Sequence, residues 1–179
     1  MTVPSPRDGM ASTARAEQLA ERLAAILQRH SRRIVFAESC TAGLVAALLG
    51  GIPGISDWLC GSAVTYRNDT KQRWLGVRPE DIETQTAVSA VVARQMAAGA
   101  LRMTPEADVA ASVTGHLGPQ APAELDGRFF VGWADRFLKN ERGEMEPRAW
   151  EFRLQATSRI ERQREAASKV LFIAAEQLS

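Results

Sequence analysis

The chain has 179 residues, 45% apolar and 24% charged, enough to build one domain around a substantial core. Its 22 basic and 21 acidic residues leave a formal net charge of +1 and are mixed along the sequence, so no broad field attracts nucleic acid or an anionic membrane, and neither is expected as a partner. Cys40 and Cys60 form no CxxC or Cys/His cluster, which argues against a disulfide framework or a structural zinc. No run approaches the roughly 18 apolar residues of a membrane helix. The opening MTVPSPRDGM lacks the layout of a secretion signal, so a cytoplasmic location is expected.

Residues 1–12, with two prolines and no apolar period, read as a disordered tail, leaving 13–179 as a single domain. Thr13 to His30 carries Ala16, Leu19, Leu23, Ile26 and Leu27 at helical spacing, and Arg33 to Ala37 follows as a short strand. Leu44 to Leu49 reads as a helix, and the Gly/Pro-rich stretch after it as a loop leading into a strand from Trp58 to Tyr66. Asn68 to Trp74 suits a short helix, and the alanine-rich Thr86 to Met103 a longer one packed on a sheet. Asp108 to Thr114 is a strand, Gly115 to Gly127 a long loop, and Phe129 to Ala134 and Ala149 to Leu154 a strand pair joined by a charged turn. Ile160 to Leu178 closes the chain as a helix with Ala167, Val170, Leu171 and Ala174 on its inner side. The alternation predicts an α/β fold, a mostly parallel mixed sheet of about five strands covered on both faces, with one antiparallel strand supplied by the late pair.

In such sheets ligands gather at the carboxyl ends of the strands. Three polar segments fall there: E-S-C-T-A-G at 38–43, T-Y-R-N-D-T-K at 65–71 and T-G-H-L-G-P at 114–119. Ser39 is a candidate nucleophile if a base lies beside it, and Lys71 a candidate base if burial lowers its pKa. The plainer alternatives make Ser39 or Thr41 a helix cap and Lys71 a surface charge. Cys40 is a rival nucleophile or a packing residue. His116 is a candidate acid or base, whereas His30 suits a helix C-terminus. Tyr66 and Asn68 offer hydrogen bonds to a ligand or to the turn, and Gly115 and Gly118 let backbone approach a ligand or simply turn the chain. Arg159, Arg162 and Arg164 open the last helix; Arg159 can reach an anionic ligand, and a solvated basic face is the plain alternative.

In combination these segments resemble the CinA C-terminal domain family, the nicotinamide mononucleotide deamidases. The resemblance runs from about Ala16 to Leu178 and rests on A-E-S-C-T-A-G-L at 37–44, G-I-P-G-I-S at 51–56, Y-R-N-D-T-K at 66–71 with L-G-V at 75–77, A-V-S at 87–89, and V-T-G at 113–115 followed by G-P. It implies a three-layer α/β/α sandwich and hydrolysis of the carboxamide of nicotinamide mononucleotide, or a close analogue, to the acid and ammonia. Ser39 is then the nucleophile, Lys71 its proton acceptor, and Tyr66 and Thr114 the residues that position or polarise the reacting groups. Backbone amides after Ser39 are the implied oxyanion donors. Glu38, Thr41, Gly43, Asn68, Gly115, Gly118 and Arg159 are expected to bind the substrate. No metal or cofactor is implied, and a homo-oligomer is. The chain departs from the family in the loop T-G-H-L-G-P-Q-A-P-A-E-L-D-G, which lacks a glycine run and is more acidic, and in carrying Gln163 where a second arginine is usual. Those departures leave a second expectation open, a catalytically weak or inactive paralogue that binds a nucleotide or a protein.

Overall fold

The computed structural model describes residues 6–118 and 121–179, with side chains from Thr13 onward. In chain order the elements are α1 (Pro6–His30), β1 (Ile34–Glu38), α2 (Leu44–Gly50), a 3-10 turn (Ile55–Asp57), β2 (Leu59–Val64), α3 (Asn68–Leu75), α4 (Pro79–Gln85), α5 (Ala90–Met103), β3 (Val109–Gly115), β4 (Arg128–Asp135), β5 (Arg148–Arg153) and α6 (Arg159–Leu178). The first helix starts earlier than the expected Thr13, so of the predicted tail only residues 1–5 lie outside the described residues. Helix α4 is not foreseen by the apolar pattern. The predicted start of α5 at Thr86 moves to Ala90, because Thr86 takes φ 66° and Ser89, extended, caps the helix by accepting from the Val92 amide.

The sheet order is β2-β1-β3-β4-β5. Strand β1 pairs in parallel with both β2 and β3, β3 pairs antiparallel with β4, and β4 antiparallel with β5, so β4 alone runs against the other strands. Side chains alternate across the sheet. Phe36, Ala111, Val113, Val131 and Trp133 face α1, α2 and α6, building a core with Leu23, Leu27, Leu49 and Leu171. Val35, Ala37, Ala110 and Ala134 face the other way, onto Val92, Met96, Ala97 and Leu101 of α5 and Leu75 of α3. The result is the expected α/β/α sandwich.

This connectivity decides where a ligand can bind. From β1 the chain goes to its neighbour β2 through α2 on one face, and from β2 it returns through α3, α4 and α5 on the opposite face to β3, the other neighbour of β1. The two connections diverge at the carboxyl end of β1 and leave a crevice there. Ser39, the first residue beyond β1, stands in it. Among the described residues no helix is long and apolar enough to cross a membrane.

Candidate active site

Beyond β1 the chain makes the turn Ser39–Gly43 before α2, and a single side chain organises it. Glu38 is 1% exposed, and its carboxyl oxygens accept from the hydroxyls of Thr41 and Ser62 and from the amides of Gly43, Val45 and Ala46, all at 2.8–3.0 Å. Three of these donors are backbone N–H groups at the start of α2, which a helix leaves without internal partners. Glu38 therefore caps α2 from the strand side, a role the sequence offered to Ser39 or Thr41. The Ala42 amide donates to Ser39 O and the Leu44 amide to Thr41 O, closing two tight turns. Ala42 and Gly43 both take left-handed backbone angles, φ 53° and 98°. At Gly43 that conformation suits glycine; at Ala42 it is strained.

Ser39 is thereby turned toward Lys71. Lys71, on α3, is 2% exposed; its Nζ lies 2.9 Å from Ser39 Oγ and 2.9 Å from Thr65 O, with Tyr66 O at 3.5 Å. Burial holds the Lys71 pKa at about 8, below the ordinary lysine value, with the neighbouring Cys40 thiol acting weakly in the opposite sense. Below that pKa the ammonium donates to the Ser39 hydroxyl and to the Thr65 and Tyr66 carbonyls; above it the neutral amine keeps two N–H groups for the carbonyls and has a lone pair for the Ser39 hydroxyl proton. Cys40 lies beside them, buried, its thiol pushed up to about 12 chiefly by desolvation, and so is no source of thiolate near neutrality.

These groups open into a cavity of about 430 Å³, which Ser39, Cys40, Tyr66, Asn68, Lys71, Thr114, Gly115, His116, Gly118 and Arg159 all help to line. The Thr114 hydroxyl donates to Ala87 O at 2.8 Å, tying the end of β3 to the segment before α5. At the mouth Arg159 donates to Gly118 O at 3.0 Å and to the Tyr66 hydroxyl at 2.8 Å, so three separate chain segments meet there. The His116 pKa lies below its ordinary value, first through burial and then through the charge of Arg128, against a smaller opposing pull from Asp126. Among the described residues no His/Cys/Asp/Glu group is arranged to hold a metal ion.

Three residues expected to bind substrate stand elsewhere. Glu38, Thr41 and Gly43 do not line the cavity, because their polar groups are spent on one another in the turn. The same network narrows the expected oxyanion donors: the Gly43, Val45 and Ala46 amides belong to Glu38, and within the turn only the Cys40 and Thr41 amides donate to no oxygen among the described residues. Arg162 is not part of a solvated face either. Its side chain is 14% exposed and forms a two-pronged ion pair with Asp126, Nη1–Oδ1 2.7 Å and Nη2–Oδ2 2.8 Å. It also donates to Ala156 O at 2.7 Å and Leu117 O at 3.3 Å. Gln163 donates to Thr41 O at 2.7 Å, docking α6 on the Ser39 turn. Sequence reasoning missed Asp126; the Asp-Gly pair at 126–127 marks a turn but not a partner 36 residues away.

The family model for the CinA C-terminal domain matches residues 16–175. A CinA-like protein of Mycobacterium avium is 49% identical over 110 residues, covering 62% of this chain and 24% of that protein. One from Chloroherpeton thalassium is 38% identical over 144 residues, covering 69% of this chain and 34% of the other. The chain thus spans about a quarter to a third of the length of these curated relatives. Among solved structures, the competence/damage inducible protein CihA from Agrobacterium tumefaciens superposes with a TM-score of 0.78 at 32% identity, covering 99% of this chain and 100% of that one. A CinA-superfamily protein from Klebsiella pneumoniae gives 0.80 at 25% identity, covering 91% and 97%. With its fold, its crevice at β1 and this match over most of its length, the chain belongs to the CinA C-terminal domain family.

Proposed function

We propose that this protein is an amidohydrolase that cleaves the carboxamide of nicotinamide mononucleotide, or a close analogue, by a Ser39/Lys71 mechanism. The observation that carries the reading is the 2.9 Å contact between Lys71 Nζ and Ser39 Oγ inside a ligand-sized cavity, with Lys71 held at a pKa of about 8. A buried lysine of that pKa is neutral often enough near neutrality to act as a base.

In the first step the neutral amine takes the Ser39 proton while Oγ bonds to the carboxamide carbon. The carbonyl oxygen becomes an oxyanion, for which the Cys40 and Thr41 amides are the backbone donors of the turn without an oxygen partner among the described residues. When the tetrahedral intermediate collapses, the C–N bond breaks and the Lys71 ammonium returns the proton to the departing nitrogen, releasing ammonia and leaving an ester on Ser39. Water, deprotonated by the same amine, then attacks the ester and frees the acid and Ser39. Thr114 and Tyr66 shape the reacting end and the mouth, and Asn68 and Arg159 face the remainder of the substrate.

The test is ammonia release from nicotinamide mononucleotide by the purified chain at pH 8. Turnover that disappears in Ser39→Ala is the expected result. A folded protein that binds this compound but releases no ammonia at high enzyme concentration would sink the hydrolytic reading and favour the ligand-binding paralogue, for which the altered 115–127 loop speaks.

A further inference from the structure

Among the described residues that line the cavity, Lys71, His116 and Arg159 are the basic side chains, His116 with its pKa held below the ordinary value, and there is no carboxylate. Lys71 serves the reacting end, so an anionic group on the ligand has one guanidinium to meet, that of Arg159 at the mouth. A second guanidinium lies just behind the wall. Arg162 donates to the carbonyl of Leu117, and a Cβ on Gly118 would collide with both Arg162 Nη1 and Asp126 Oδ1; Leu117 and Gly118 are themselves cavity-lining residues. Gly118, at φ 62°, is thus the thin screen between the Arg162–Asp126 pair and the cavity. With Nε on Ala156 O and Nη1 and Nη2 on the two carboxylate oxygens, Arg162 has nearly exhausted its donors, and Asp126 cancels its charge at short range.

We infer that Asp126 sets the anion specificity of this site: by closing on Arg162 it leaves Arg159 as the one effective guanidinium, so that the ligand's anionic group is recognised as a monoanion with little preference for a dianion. The inference deepens the proposed function and rests on it for the identity of the probe. Asp126 acts through its partner's charge and need not touch the ligand. Removing its negative charge leaves Arg162 in place, held by Leu117 O and Ala156 O, and projects its positive charge through the Gly118 screen, offset only in part by the Glu165 carboxylate.

The matched probes are nicotinamide mononucleotide, whose phosphate is mostly dianionic above about pH 6, and its 5′-phosphate methyl ester, a monoanion of nearly the same shape. At pH 8 the unaltered protein is expected to turn the two over with kcat/KM values within about threefold. Asp126→Asn is expected to prefer the dianion by about tenfold or more, the order expected for one additional positive charge acting through a thin low-dielectric wall. The double variant Asp126→Asn/Arg162→Gln, which keeps a hydrogen-bonded neutral pair, is expected to return to the starting ratio. A tenfold preference for the dianion in the unaltered protein, or a ratio that Asp126→Asn does not move, overturns the inference. If Asp126→Asn fails to fold, the double variant still decides it, since a ratio differing from the unaltered protein's means that Arg162 already acts on the ligand. Calorimetric titration of Ser39→Ala with both probes, with and without Asp126→Asn, separates the two claims. A binding ratio that shifts as stated in a protein without turnover sustains the specificity and discards the hydrolysis, and failure of either probe to bind any form discards the specificity.

Discussion

Two carboxyl groups hold the two sides of one cavity, by different physics. Glu38 fixes the Ser39 turn from within, buried, with five neutral donors drawn mostly from its own neighbourhood in sequence. Asp126 fixes the opposite wall through one cation from a distant helix, and about a third of its side chain is open to solvent. The first device is insensitive to salt and intolerant of substitution, because each orphaned buried donor costs its own desolvation. The second is screened, tolerant and tunable. The rigid side holds Ser39, and the adjustable side lies behind Leu117 and Gly118 at the cavity wall.

The largest expected effect tests whether the chemistry does reside on the rigid side. Lys71→Met should lower kcat/KM for amide hydrolysis by about 100 to 10,000-fold, the range for loss of a positioned base. In the unaltered protein the rate should climb about tenfold per pH unit below the Lys71 pKa of about 8 and level off above it. The same group marks stability in a definite direction. Its folded pKa lies below the unfolded value, so below pH 8 both states hold the proton and the burial penalty is felt in full. Between about pH 8 and the ordinary lysine value only the unfolded state holds the proton, and stability rises with pH. Urea midpoints compared at pH 7 and pH 10 should therefore move further upward in the unaltered protein than in Lys71→Met. A flat pH–rate profile would remove Lys71 from the mechanism.

Next in size is Glu38→Ala, which orphans three backbone amides and two hydroxyls at once and should cost about 3–5 kcal/mol in urea denaturation. Glu38→Gln, which keeps one carbonyl acceptor but turns an NH₂ toward other donors, should cost about 2 kcal/mol. Both should lose activity faster than stability, since Ser39 reaches Lys71 only while the turn is held. Asp126→Asn should lower the midpoint by less than either, and that difference should shrink at 1 M salt. Its sign with pH is fixed too. The Arg162 hydrogen bonds hold the Asp126 pKa below the ordinary value, so its contribution is complete above the unfolded pKa and is lost as pH falls through the folded one. An Asp126→Asn loss unaffected by salt would make the two staples alike and break the contrast.

How much of this was legible in the sequence follows the same division. The sheet and most of its helices were readable from period-2 and period-3.6 runs, which also put the polar segments at strand ends; the meeting of Ser39 with Lys71 was implied only by the family resemblance, since the residues alone left a helix cap and a surface charge open. Helix α4 was not readable, because Pro79–Gln85 buries none of its residues and so writes no apolar stripe. Glu38, Thr41 and Gly43 were legible as a motif but misassigned. Spacing marks them as fixed points of the turn, and cannot tell whether their polar groups face a ligand or the backbone. The Asp126–Arg162 pair was illegible for a different reason: it joins an irregular loop to a helix 36 residues on, and neither partner's neighbours carry a pattern that encodes the contact.

The smallest expected effect concerns strain on the rigid side. Ala42 sits at φ 53° with its amide bonded to Ser39 O, held there while Glu38 clamps the residues that follow. A left-handed alanine costs about 1–2 kcal/mol relative to its preferred conformation, and glycine relieves that cost while adding about 0.4–1 kcal/mol of unfolded-state entropy to be lost on folding. Ala42→Gly should therefore raise stability by about 0.5–1 kcal/mol, read as a higher urea midpoint with an unchanged slope. Its effect on kcat/KM says which part of the turn places Ser39. An unchanged rate means that the Glu38 network alone holds the serine on Lys71, and a fall of tenfold or more means that the methyl group at Ala42 helps to restrict the turn. A drop in stability would show that the turn relaxes out of the left-handed conformation when it can, against the rigidity attributed to Glu38.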